Sequence, residues 1–202
     1  MIERFKSPAA TPKVILASNS PQRKLLLKRS GLSFIIRPSR VKESTKIRTS
    51  CSAFVKHNAL LKAQDVAERS LEGIVIGADT IVYLGHGRII GKPKDFHDAK
   101  RILKTLFARP HWVYTGVAVV DVRSKRRVVD YEKTKVYMNR LSDAEIERYH
   151  QKMSPLDKAG GFDIEGWGGL FIRRIEGCYS NVIGLPMAKL TLMLKEFGIE
   201  II

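Results

Sequence analysis

The stretch Leu16-Ala17-Ser18-Asn19-Ser20-Pro21-Gln22-Arg23 constrains the fold more than any other. An apolar run, Val14-Ile15-Leu16, leads into it, and Lys24-Leu25-Leu26-Leu27-Lys28 continues it. Ser20 suits an N-cap, and Pro21 suits the first helical position, where no N–H is needed. The pattern predicts a strand over 13–18 that turns sharply into a helix over 21–30, closed by Gly31. Such a helix start presents backbone N–H groups and a partial positive charge, which attract anions, phosphate above all. Ser18 adds a hydroxyl and Arg23 a bidentate cation. By itself the stretch also reads as an ordinary capped helix.

Residues 1–12, with Pro8 and Pro12, read as a loose lead-in, and 13–202 as a single domain. Phe34-Ile35-Ile36 predicts a short strand, followed by a polar loop from Ser39 to Ser50 that contains Glu43. Ser52 to Leu71 is helical, with Phe54, Val55, Ala59, Leu60, Ala63, Val66 and Ala67 at helical spacing. Gly73–Gly77 predicts a buried strand ending at Asp79, and Ile81–Leu84 a separate strand that hairpins onto Arg88–Ile90. Asp98–Phe107 predicts a helix, Trp112–Val122 and Arg127–Met138 a strand pair, and Asp143–Lys152 a helix capped by Ser142. A glycine-punctuated loop precedes a strand at Leu170–Ile172, and a helix over Pro186–Phe197 closes the chain. Strands and helices mix without strict alternation, so the expected class is α/β in the mixed α+β sense: a twisted mixed sheet flanked by helices.

Lys and Arg number 36 against 20 Asp and Glu, a net charge of +16. Such a surplus draws polyanions, either nucleic acid or a phosphorylated small molecule. Along the sequence the aromatics do not alternate with the basic residues, which argues against a stacking platform for single strands. Two distant cysteines, Cys51 and Cys178, build no disulfide framework, and the N-terminus lacks an apolar signal core. A cytoplasmic setting with no membrane span is therefore expected.

Several residues invite chemistry. Asp79, beside Gly77 and Thr80, reads either as a carboxylate that binds a metal or activates water, or as a turn residue capping its own backbone. Glu43 alone reads as a solvated charge; beside Asp79 it would complete a Mg²⁺ site. Lys92, in Gly91-Lys92-Pro93, and Lys158, before Ala159-Gly160-Gly161, sit on loops built to present something or simply on the surface. Lys62 interrupts the apolar face of its helix, where burial demands an anionic partner. The five histidines lack metal-ligand spacing, and no nucleophile elbow, Walker A loop or dinucleotide motif is present.

Together these pieces resemble the Maf family of nucleotide pyrophosphatases. The matching stretches are LASNSPQRKLLL (16–27), the lysine of ALLKAQ (59–64), GADTIV (77–82), GKPKDFHDAKRILKTL (91–106), HWVYTGVAV (111–119) and DKAGGFDIEGWGGLFIRRIEGCYSNVIGLP (157–186). The resemblance implies a Maf/ITPase-like fold, with an elongated sheet, two lobes and a central cleft, and a homodimer. It implies hydrolysis of a nucleoside triphosphate to the monophosphate and pyrophosphate with a divalent cation, Mg²⁺ or Mn²⁺. The family's proton acceptor matches Asp79. Its phosphate and metal contacts match Ser18, Arg23, Glu43, Lys62, Lys92 and Lys158, with Glu43 and Asp79 toward the metal.

Three further positions tune the base in that family and match Gln22, Thr80 and Glu165. Members acting on dTTP and UTP usually carry arginine at the first and glutamine at the third; members acting on 7-methyl-GTP carry tryptophan and glutamate. This chain has Gln22 and Glu165, while Ile164 and the run Cys178–Val182 look more like the first group. The expected substrate is therefore of dTTP/UTP type, with 7-methyl-GTP or another modified nucleotide as the alternative. Ionised glutamate only accepts hydrogen bonds, which suits a donor edge such as guanine's better than the O4 of thymine. Trp167 is expected to be a packing residue. From another class, the charge alone would fit a non-catalytic nucleic-acid-binding protein; carboxylates in a polyanion site argue against it.

Overall fold

The structure, a computed structural model, describes residues 12–42 and 49–202. The lead-in, but for Pro12, and Glu43 lie outside the described residues. Seven strands form one mixed sheet: β1 (Val14–Leu16), β2 (Phe34–Ile36), β3 (Ile74–Tyr83), β4 (Ile89–Ile90), β5 (His111–Asp121), β6 (Arg127–Met138) and β7 (Ile172–Glu176). Their order is β2-β1-β3-β5-β6-β7, with β4 on β3. β1 runs parallel to both β2 and β3, whereas β3, β5, β6 and β7 form an antiparallel run. Among the described residues six α-helices pack around it: α1 (Pro21–Arg29), α2 (Cys51–Glu68), α3 (Phe96–Phe107), α4 (Asp143–Lys152), α5 (Tyr179–Ile183) and α6 (Met187–Lys195).

Strand periodicity assigns the layers, since alternate residues face opposite sides. One face of β3 and β5 carries two apolar clusters at opposite ends. Leu16, Ile76, Ala78 and Val117 meet α1 and α6 through Leu27 and Leu194. Val82, Val113 and Val136 meet α3 and α4 through Leu103, Leu106 and Ile146. These are the two lobes. On the other face α2 lies across Val75 and Ala118 through Ala59, Ala63 and Val66. Its backbone sits so low that a Cβ added at Gly77 would fall 2.2 Å from the Ala59 carbonyl oxygen, and one at Gly116 2.2 Å from that of Val55. Only glycine permits that approach.

The sequence reading needs three corrections. β3 is one continuous strand, not two, and Asp79 lies within it opposite Gly116. The polar pair Asp79-Thr80 looks like a break but is tolerated because the strand's edge is open there. The last strand begins at Ile172, because Trp167–Leu170 winds into a 3₁₀ turn. Tyr179–Ile183, to which the sequence reading assigned no element, forms the short helix α5, closed by Gly184 at φ +116°. Trp167 is half-exposed under the Lys152 ammonium rather than packed.

Candidate active site

The site grows from a mismatch of strand lengths. β1 pairs with β3 only over Ile74–Ile76, and β4 only over Val82–Tyr83. Between them the β3 edge opens onto a cleft of about 480 Å³ between the lobes. A backbone carbonyl left without a strand partner needs another donor. The Ala78 carbonyl finds two: Arg23 Nη1 at 2.9 Å and Lys62 Nζ at 3.3 Å.

Every predicted site residue that falls among the described residues lines this cleft: Ser18, Gln22, Arg23, Lys62, Asp79, Thr80, Lys92, Lys158 and Glu165. Asp79 is buried, and both carboxylate oxygens are held. Lys62 Nζ donates to Oδ1 at 2.8 Å and Asn58 Nδ2 to Oδ2 at 3.0 Å. The anionic partner that Lys62 demanded is thus Asp79, and Asn58, one turn earlier on α2, fixes the carboxylate plane. The sequence reading missed Asn58. Its signal was a second polar residue four positions before Lys62 on an apolar helix face.

The helix start forms as expected. Ser20 Oγ accepts from the Arg23 backbone N–H at 3.4 Å, and Ser18 Oγ accepts from Ser20 N–H at 3.2 Å. Arg23 turns inward rather than outward. Its guanidinium donates to the Gly184 carbonyl at 2.8 Å, to Ser18 Oγ at 3.2 Å and to Thr80 Oγ1 at 2.9 Å, besides Ala78. It therefore ties α1, β3 and the turn after α5 together and brings its charge to the cleft wall. Thr80 continues the network to Thr115 at 3.0 Å, and Thr115 donates to the Asn181 carbonyl at 3.2 Å. Asn181, fully buried, donates to the Val113 carbonyl and to Thr134.

The opposite rim carries the other cations. Lys92 is exposed and makes no ion pair among the described residues. Lys158 pairs with Asp157 at 2.7 Å, and Gln22 donates to the same carboxylate at 3.3 Å across the cleft mouth. Burial pushes the Asp157 carboxyl up, but the hydrogen bonds from Lys158 and Gln22 outweigh it and hold the group below the usual carboxylate range. Glu165 pairs with Arg29 at 2.7 Å, a second tie between α1 and the far rim.

Such a cleft can seat a polyphosphate against Lys92, Lys158 and the start of α1, with one oriented carboxylate beneath it. The donor set also fits a hard divalent cation. No group of three or more His, Cys, Asp or Glu side chains forms a metal cage among the described residues. Mg²⁺ takes one or two carboxylates and completes its shell with phosphate oxygens and water, and Asp79 retains lone pairs beyond its two hydrogen bonds.

The chain is also similar to known proteins. The family model described as Maf-like protein matches residues 13–197. A Dictyoglomus turgidum protein named dTTP/UTP pyrophosphatase is 46% identical over 190 residues, covering 94% of this chain and 98% of its own. An Alkaliphilus oremlandii protein of the same name is 46% identical over 185 residues, covering 91% and 95%. Among solved structures, a Mycobacterium abscessus nucleoside-triphosphatase / dITP/XTP pyrophosphatase matches 92% of this chain and 95% of its own, at 17% identity and a TM-score of 0.41.

Proposed function

The chain belongs to the Maf-like family, and on that premise we propose that it is a nucleoside triphosphate pyrophosphatase. It cleaves the α–β phosphate bond of a dTTP- or UTP-type substrate and releases the monophosphate and pyrophosphate. The observation that carries the reading is the Asp79 carboxylate, fixed by Lys62 and Asn58 at the opened edge of β3 within a cation-rimmed cleft. The names of the relatives support the substrate class.

In this mechanism the triphosphate lies along the start of α1, toward Lys92 and Lys158. Asp79 orients a water molecule toward the α-phosphorus and accepts its proton as the new P–O bond forms. The bond to the β-phosphate oxygen breaks, and pyrophosphate leaves with its charge offset by Lys92 and Lys158. Phosphoryl transfer gains most from such fixed positive charge. Arg23 holds the α1 start, with Ser18, against β3. A divalent cation, Mg²⁺ or Mn²⁺, held by Asp79 and Glu43, would neutralise phosphate oxygens when bound. A cytoplasmic homodimer of one two-lobed domain over 13–202 belongs to the same reading; two free cysteines fit that setting.

Gln22, Thr80 and Glu165 face the base in this reading. The Glu165 carboxylate is the one observation that favours a second substrate, a base with a donor edge such as that of 7-methyl-GTP. The test is a panel of dTTP, UTP, CTP, GTP and 7-methyl-GTP with Mg²⁺, scored for pyrophosphate. Release with dTTP or UTP that Asp79→Asn abolishes is the expected result. Inorganic phosphate as the product, or near-normal turnover by Asp79→Asn, would overturn the assignment.

A further inference from the structure

The face of the sheet that α2 covers has a second region, beyond the helix's N-terminal turn. Strand register gathers there residues scattered in sequence. Trp112 on β5 lies opposite Lys135 on β6, with Lys133 and Tyr137 flanking Lys135 on the same side, and Arg174 of β7 lies opposite Tyr137. The Lys133 and Lys135 ammonium groups each sit 5.4 Å from the Trp112 ring centroid. Lys135, Arg173 and Arg174 sit 5.2, 5.7 and 4.3 Å from that of Tyr137. Among the described residues Glu176 is the acid engaged in this cluster; it accepts from the Tyr137 hydroxyl at 2.9 Å and from Arg174 at 2.5 Å. Arg174 remains 60% exposed beside Glu176, so a phosphate can reach it in competition with that carboxylate. None of these residues lines the cleft.

We propose that this face binds single-stranded nucleic acid, with bases stacked on Trp112 and Tyr137 and phosphates on Lys133, Lys135, Arg173 and Arg174. Flat rings interleaved with cations match a strand whose bases are free to splay; a duplex keeps its bases inside and would leave the rings unused. An exposed cation–π contact is weaker than base–aromatic stacking. A base can therefore take the ring face while the flexible lysine swings to a neighbouring phosphate. A second copy of this chain is a poor occupant, because a two-fold contact would set the same cations against themselves.

The experiment is fluorescence anisotropy of the full chain with labelled oligo(U) and oligo(dT), titrated with KCl. Four phosphate contacts give a salt slope near −2.8, so affinity should fall about 50-fold between about 50 and 200 mM salt. Lys133→Ala/Lys135→Ala should halve that slope and cut the same salt effect to about 7-fold. Trp112→Ala should weaken binding about 5- to 150-fold at fixed salt. Lys28→Ala/Lys195→Ala removes equal charge from exposed positions on α1 and α6 and should have little effect. Turnover of dTTP should be unchanged in both lysine pairs. Equal losses in the two pairs would assign binding to overall charge and overturn the proposal. So would absence of binding, or sedimentation showing a dimer that Lys133→Ala/Lys135→Ala dissociates.

Discussion

Replacing Gly77 with alanine should disarm the cleft without altering any residue that faces it. Gly77 lies two positions before Asp79, on the same side of β3, under α2. The added methyl would fall 2.2 Å from the Ala59 carbonyl oxygen and 2.8 Å from the Ala63 nitrogen, where ordinary contact begins near 3.4 Å. Both obstacles are helix backbone, which cannot rotate away as a side chain can. The helix must therefore retreat by more than about 1 Å, since packed interiors have no slack to absorb the methyl. Asn58 and Lys62 flank Ala59 and Ala63 on that helix, so they retreat with it. Their contacts to Asp79, now 3.0 and 2.8 Å, stretch past hydrogen-bonding range.

Overpacking of this kind costs about 1–3 kcal/mol. For a domain of this size that lowers Tm by roughly 2–12 °C. Misplacing a catalytic group by about 1 Å costs on the order of 100-fold in rate. Thermal melts and pyrophosphate release from dTTP read the two effects separately. Gly91→Ala is the control: its methyl meets open space, and stability should stay within about 0.5 kcal/mol. A Gly77→Ala enzyme with parental Tm and kcat would refute the claim that the depth of α2 positions Asp79.

Three other outcomes follow from the same geometry. Lys62→Met strands the buried Asp79 carboxylate and should lower the unfolding free energy by about 3–5 kcal/mol in urea titrations; Lys62→Met/Asp79→Asn should lose less than the two single losses added. His111 is fully buried with neither ring nitrogen hydrogen-bonded, and burial pushes it down to about 4 from an ordinary 6.5. The unfolded chain therefore binds the extra proton first as pH falls below 6.5, so stability should drop by about 2 kcal/mol between pH 6.5 and 5, and His111→Phe should flatten that slope. Glu165→Gln supplies an amide donor for the O4 of uracil and should raise kcat/KM for UTP relative to GTP at least about fivefold; an unchanged ratio would remove residue 165 from base selection.

The parts legible in the sequence were those governed by local rules. Ser20 and Pro21 announce the α1 start, and Lys62 on an apolar helix face announces a buried counter-charge. What it could not supply was register. That Asn58 shares Asp79 with Lys62 depends on how far α2 sinks onto Gly77 and Gly116, a long-range packing fact. The aromatic–basic face shows the same limit with a different cause. Read consecutively, Tyr131 to Tyr137 mixes aromatic, acidic and apolar residues. Read at the strand period of two, its outward positions are Tyr131, Lys133, Lys135 and Tyr137, an alternation that a linear scan hides. The displaced last strand follows from chain geometry as well. Gly168 must pass within van der Waals contact of the Asp163 backbone, so that segment turns before it can extend.

The short β1 connects these observations. A longer first strand would cover the β3 edge beyond Ile76 and close the cleft with ladder hydrogen bonds. Because β1 ends at Leu16, the chain leaves a backbone acceptor at Ala78 that a strand would otherwise satisfy. An open edge is a liability, and here it is blunted by cations rather than by another strand. Arg23 and Lys62 reach the Ala78 carbonyl from opposite sides, one from α1 and one from α2. Each cation then has further partners, Arg23 at Ser18, Thr80 and Gly184, Lys62 at Asp79. The edge gap therefore concentrates positive charge beside the Asp79 carboxylate. Arg23 also has to span three segments at fixed angles, which a planar five-donor fork can do and a single ammonium cannot. The same gap that exposes the backbone to the cleft assembles the groups on which the proposed hydrolysis rests.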